Sequence, residues 1–307
     1  MINIAFGFDD NFASHCGAAV ASVLVNHKVT SEEDKIHFFF LGNISDENKA
    51  RLRELKKIQD FEGTFISVDQ SEFNGLPLRN GQKIAIYNVL LIPELVPDNV
   101  NKIIFLDCDL IVNKDITELW NTDVKDYMVA AVMDRYRKDE NFFNSGVMVL
   151  NVKKLRDFDF YTKWKKYIEK NVCNMILHDQ DILNPVLEGN VFFIAENWNV
   201  HHGVFLKLYD KFNKRNMKDF SDYCYIIHYS TKIKPWHPLP VHPLKDYYFK
   251  YALMTFWKDQ ITDYPVYLKA SVFLKLLLKY WIVHPVFFIK KKFWKNIKKK
   301  GWLMTLY

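Results

Sequence analysis

At 307 residues, with 49% hydrophobic content and only ten Gly and ten Pro, the chain has room for one large α/β domain with an appendage, or for two domains, and excludes long disordered tracts. Its four Cys (16, 108, 173 and 224) are scattered without a C-x-x-C, which fits a reducing compartment and excludes a thiolate-rich zinc site. The net charge of +6 averages two unlike parts: residues 258–307 carry eleven Lys against Asp259 and Asp263, a net of +9, leaving −3 on residues 1–257, and such asymmetry bears on partners rather than on fold.

Ile2 to Phe8 is a predicted apolar strand, closed by the Asp9-Asp10-Asn11 cluster suited to capping. The N-terminus lacks a basic n-region, so no signal peptide is expected. Small apolar residues from Cys16 to Val25 predict a helix packed on a sheet. Lys35 to Leu41 is a second strand, Ser45 to about Ile58 a charged helix, and Thr64 to Val68 a third strand. Ile84 to Leu91 should be helical and stop near Pro93. Lys102 to Asp107 and Tyr127 to Met133 are further strands, the latter ending in Asp134. Phe142 to Asn151 reads as a turn leading into a strand, Leu155 to Glu169 as a helix, His178 as the opening of another helix, and Tyr225 to Tyr229 as a late strand. Strands alternating with helices imply an α/β fold with a doubly wound, mainly parallel sheet.

The motif Asp107-Cys108-Asp109 carries the chemistry. If its strand runs on to Asp109, residues i and i+2 share a face. Two carboxylates then stand side by side and Cys108 faces away. Like charges this close need a cation or a shared proton, and ligands of open α/β sheets bind at the carboxyl ends of the strands. The pair reads as a divalent-metal site; the plain alternative is a solvated strand end.

Five segments stand in order: Phe8-Asp-Asp-Asn-Phe12, Phe105-Leu-Asp-Cys-Asp109, Phe143-Asn-Ser-Gly-Val147, His178-Asp-Gln-Asp-Ile-Leu-Asn184 and His228-Tyr-Ser-Thr-Lys-Ile-Lys-Pro-Trp236. Together they resemble the retaining glycosyltransferases of family 8, whose bacterial lipopolysaccharide α-galactosyl- and α-glucosyltransferases are the nearest match, with glycogenin a distant relative. The resemblance covers residues 1–257. It implies a single nucleotide-sugar-binding domain of GT-A type, a UDP-hexose donor, and Mn²⁺, or Mg²⁺ in its place. It adds His228 to Asp107 and Asp109 as a metal ligand. It places Asp9, Asp10, Asn11, Phe12, Asp107, Cys108, Asn144, Thr231 and Lys234 in the donor-binding set. Asp9 would accept from the uracil N–H and Phe12 would offer a stacking face. Lys234 would face the leaving diphosphate. Asp134, Asn144, Asp179 and Gln180 match positions that hold the donor sugar, and Asp134, Asp179 and Gln180 form the expected catalytic set. A carboxamide is a poor nucleophile, which favours a front-side route with Asp179 orienting the sugar. Two positions depart from the family pattern: Thr231 replaces a common Gly, and Val89 replaces an Arg near the donor, with Lys83 a substitute cation.

The tail, residues 258–307, forms the second expected domain. Val266 to Ile289 is apolar but broken by Lys269, Lys275, Lys279, His284 and Pro285, so it is not a spanning helix. Phe273, Leu276, Leu277, Tyr280 and Trp281 fall on helical spacing, followed by Lys clusters interleaved with Phe and Trp. Such a basic aromatic helix suits docking on an anionic membrane; the alternative is a helix packed on the body. The expected setting is the cytoplasm, peripheral on the inner face of the cytoplasmic membrane, with a lipid-linked glycan acceptor. Nucleic acid is not expected, because the body is acidic and has no reading motif. Two other functions compete. A metal-dependent nucleotidyltransferase would need a phosphate-cradling Gly-rich loop, and Gly7 alone does not make one. A catalytically silent membrane-surface binding module has only Val89 and Thr231 in its favour.

Overall fold

The computed structural model describes residues 1–78, 83–134, 141–205, 217–231, 234–236, 242 and 244–262. These fall into two compact units, Met1–Ser230 and Thr231–Tyr307. The apolar stretch at 266–289 and the basic clusters after it lie outside the described residues. Among the described residues, no helix is long and apolar enough to cross a membrane.

The first unit is built on a seven-stranded sheet, comprising β1 (Ile2–Gly7), β2 (Ile36–Leu41), β3 (Glu62–Ile66), β4 (Lys102–Leu106), β6 (Val129–Met133), β7 (Phe143–Asn151) and β8 (Val191–Phe193). Its order is β3-β2-β1-β4-β7-β6-β8. Pairing is parallel from β3 to β4 and between β6 and β8, and antiparallel where β7 sits between β4 and β6. Phe38, Phe39 and Phe40 of β2 are all fully buried, which explains a run apolar on both faces rather than alternating. The order of strands reverses between β1 and β4, so the crevice outside their carboxyl ends is the ligand position of a doubly wound sheet. Asp9 to Phe12 follow β1 and Asp107 to Asp109 follow β4, so both groups lie at that crevice. A small antiparallel pair, β5 (Leu110–Val112) with β9 (Ile226–His228), lies beside it.

Several elements differ from the sequence reading, each for a local reason. β4 ends at Leu106, and Asp107 to Asp109 form the bend into β5 rather than a strand continuation. The pairing of the two carboxylates therefore comes from a bend, not from strand alternation. β3 starts two residues earlier than expected. The predicted helix from Leu155 to Glu169 is two helices, α5 (Val152–Asp157) and α6 (Phe160–Asn171), split at Asp159, whose φ of 55° is left-handed. Ile84–Leu91 is 3-10, and the chain continues into α3 (Ile92–Leu95) with Pro93 in its first turn, where a missing N–H costs nothing. Val89 is buried in the hydrophobic core beside Leu90 and Leu91, and Lys83 is exposed just before this segment. The second unit includes the helices Lys245–Ala252 and Lys258–Thr262 and a Trp236–Tyr248 ring contact of 5.0 Å.

Candidate active site

Three backbone contacts assemble the centre. Leu110 pairs with His228 across β5 and β9, and the Tyr229 N–H donates to the Asp109 carbonyl at 2.9 Å. The Asp107 N–H donates to the Gly146 carbonyl of β7 at 2.9 Å. The result brings Asp107, Asp109 and His228 together, with one ligand atom from each within 4.8 Å of the others. His228 Nε2 lies 3.4 Å from Asp107 Oδ2 and 3.2 Å from Asp109 Oδ1. Cis ligands on an octahedral ion bound at about 2.1 Å stand about 3.0 Å apart, so the spacing needs little adjustment to close on a cation. Two carboxylate oxygens and one imidazole make a donor set for a divalent cation. Gly146 keeps the space open: a Cβ there would fall 2.2 Å from His228 Cε1 and 2.6 Å from Asp107 Oδ2.

The electrostatics also call for a cation. Burial alone would lower the His228 pKa, but the Asp109 and Asp107 carboxylates outweigh it and raise it to about 9. Without a metal the imidazole carries the positive charge itself. Burial, with the Asp107 charge behind it, pushes the Asp179 carboxyl up to about 7, against hydrogen bonds from Ser145 and the backbone that favour the carboxylate. Burial holds His201 down to about 4, so it is neutral at pH 7 although Asp134 pulls the other way.

A hydrogen-bonded chain leads away from the centre. His228 Nδ1 bonds Asn199 Oδ1 at 2.9 Å, Asn199 Nδ2 donates to Asn144 Oδ1 at 2.7 Å, and Asn144 Nδ2 donates to Gln180 Oε1 at 2.8 Å. Gln180 Nε2 then donates to Asp134 Oδ2 at 3.3 Å. Gln180 opens α7 (Gln180–Val186), and Asn184 on the same helix bonds both the N–H and the carbonyl of Phe143, at 2.7 and 3.0 Å. That clamp holds α7 against β7 so that Gln180 meets Asn144. Just before Asp179, buried His178 has a left-handed φ of 56° and tilts over Tyr87. Non-glycine residues in this region cost of order 1–3 kcal/mol and cluster at functional sites.

The remaining expected residues divide. Asp9 caps the turn Asp10–Phe12, accepting from the Asn11 N–H at 3.1 Å. Asp10 is tied to the start of α2 (Asp46–Arg53), accepting from the Ser45 N–H and Asn48 Nδ2 at 2.8 Å each. Phe12 meets His15 edge-on at 5.4 Å. The Cys108 side chain is buried, facing Cys16, and burial raises its thiol pKa. Thr231 and Lys234 belong to the second unit. Sequence reasoning passed over Asn199 entirely and gave Gly146 no role. An isolated Gly inside the strand pattern of residues 143–151 was a signal for the latter.

The chain belongs to glycosyl transferase family 8, whose model matches residues 3–239. It is 29% identical to general stress protein A of Bacillus subtilis over 81% of this chain and 92% of that protein. It is 24% identical to the lipopolysaccharide 1,2-glucosyltransferase of Escherichia coli K12 over 92% of this chain and 86% of that protein. Its fold is similar to the galactosyltransferase LgtC, solved in complex with donor and acceptor sugar analogues, with a TM-score of 0.71 and 26% identity over 84% of this chain and 99% of that one. The protein is thus a glycosyl-transferring enzyme on a mixed α/β, mostly parallel sheet.

Proposed function

We propose that the chain is a retaining transferase that moves galactose or glucose from a UDP-hexose to a glycan acceptor of the lipopolysaccharide or lipooligosaccharide core type. The observation that carries the reading is the convergence of Asp107, Asp109 and His228 at the strand-order reversal, linked by hydrogen bonds to Gln180 and Asp134. The names of the relatives support the sugar chemistry and the acceptor class. A bound Mn²⁺ or Mg²⁺ would act as a Lewis acid on the leaving diphosphate. A carboxamide is a poor nucleophile, so Gln180, bonded to Asn144 and Asp134, serves to position the groups around the sugar rather than to attack it. Asp179 orients the sugar and, as a carboxylate, stabilises cationic character at the anomeric carbon. Burial and then the Asp107 charge hold its pKa up at about 7, and a cation held by Asp107, Asp109 and His228 would offset the second of these and favour the carboxylate.

UDP release from UDP-galactose or UDP-glucose, measured with and without Mn²⁺, tests the proposal. Metal-dependent release from one donor is the expected result. Silence with both would overturn it, and turnover of a nucleoside triphosphate with a sugar phosphate would put a nucleotidyltransferase in its place.

The domain boundary at residue 257 and the tail's role extend the proposal. Residues 258–307 carry a net +9 and bring the enzyme to an anionic inner-membrane face. Deleting residues 266–307 should abolish binding to anionic vesicles in a flotation assay and preserve donor hydrolysis. Unchanged vesicle binding would reject tail docking.

A further inference from the structure

We infer that Asn199 is a positioning residue that fixes which nitrogen of His228 faces the cation. The inference rests on the metal-site reading above and goes beyond it by naming a residue outside the five sequence motifs. The direction of the chain follows from one backbone group. The Gly146 N–H, which can only donate, points at Asn144 Oδ1 at 3.1 Å. The atom of Asn144 at that position must therefore be the carbonyl oxygen. The Asn199 atom facing the same oxygen at 2.7 Å must then be its NH₂, which turns Asn199 Oδ1 toward His228. An amide oxygen only accepts, so His228 Nδ1 keeps its proton, and Nε2, between Asp107 and Asp109, is the nitrogen that would give up its proton and present a lone pair to a bound cation.

A second backbone donor runs the other arm the same way. The Ser145 N–H points at Gln180 Oε1 at 3.4 Å, which leaves the Gln180 NH₂ for Asp134. Two successive backbone amides of β7 thus set the orientation of three side-chain amides and one imidazole. Asn199 is fully buried. It is held in place because Val200 bridges to β9, its N–H donating to the Ile226 carbonyl at 2.9 Å while the His228 N–H donates to the Val200 carbonyl at 3.3 Å. Outer partners of this kind orient the ligand, and removing one typically costs about 10–100-fold in metal affinity.

The test is calorimetric titration of Mn²⁺ into the full chain, without donor or acceptor. Asn199→Ala should bind Mn²⁺ about 10–100-fold more weakly than wild type. Asn199→Asp keeps an acceptor for His228 Nδ1–H but loses the donor to Asn144 Oδ1, so it should bind more tightly than Asn199→Ala and more weakly than wild type. If Asn199 only filled space, a buried carboxylate facing the Asn144 oxygen would be worse than Ala, so the reverse ranking overturns the inference. A measurement on the wild type needs no variant to fold: in ¹⁵N-histidine NMR of the Mg²⁺-loaded protein, His228 should carry its proton on Nδ1. A proton on Nε2 would overturn the inference. If wild type binds Mn²⁺ and Asn199→Ala binds equally well, the inference alone fails. If wild type takes up no Mn²⁺, the metal reading fails and the inference goes with it.

Discussion

Asp109→Asn is expected to cut metal-dependent UDP release by about 10²–10³-fold while leaving the chain folded. The amide has the shape of the carboxylate, and the Asp109 carbonyl that accepts from Tyr229 is untouched, so β5 and β9 stay paired. What changes is charge. A hard cation loses one of two anionic oxygens, and the remaining set competes poorly with water. A second readout needs no metal. In chelator, the folded-state pKa of His228 is about 9 against an unfolded value of 6.5. The folded protein therefore holds this proton more tightly. The resulting stabilisation is fully present below pH 6.5 and is lost as pH rises to 9. Asp179, raised from 3.8 to about 7, removes stability as pH rises between those two values, so the window from pH 7 to 9 separates the two groups. Asp109 is the largest attractive charge on the imidazole. The variant's melting temperature should accordingly fall less between pH 7 and 9 than that of wild type. Equal slopes together with undiminished turnover would remove Asp109 from the site.

The two carboxylates were legible because charge in an apolar run has few explanations. Their arrangement was not, since the strand ends at Leu106 and a bend presents the pair. Alternation along β4 gave the right neighbours through a geometry that does not occur. His228 was legible through its motif, but what brings it to Asp109 is a three-residue strand pair, β5 with β9, separated by more than a hundred residues. Pairings that short leave almost no periodic signal. β8, also three residues, went unread for the same reason. The split between α5 and α6 rests on one left-handed residue, Asp159, and apolar spacing runs on across it. Asn199 was invisible for a different reason. Its role exists only once Asn144 and His228, far apart in the chain, are adjacent. A buried amide is recognisable by its partners, and sequence does not supply them.

Gly146→Ala should weaken Mn²⁺ binding by about 10²-fold, with a loss of stability of about 1–3 kcal/mol. The backbone is not the obstacle, because Gly146 sits in the extended strand β7 and any residue could adopt that conformation. The obstacle is the added methyl group. It would stand 2.2 Å from His228 Cε1 and 2.8 Å from Nδ1, well inside van der Waals contact. The ring cannot swing away freely, because Nδ1 is bonded to Asn199 and the ring is enclosed on the β5–β9 pair. Asp107, which is partly exposed, can move, but only by withdrawing the oxygen that lies 2.6 Å from the new carbon. Either adjustment displaces a ligand atom by about 1 Å, and a misplacement of that size costs about 10²-fold where geometry sets function. The stability loss stays modest because the sheet hydrogen bonds of β7, including the Gly146 carbonyl to Asp107, do not depend on the side chain. A calorimetric Mn²⁺ titration paired with a urea melt separates the two effects. Wild-type affinity in a folded Gly146→Ala protein would mean that His228 and Asp107 do not hold the cation from the positions described above.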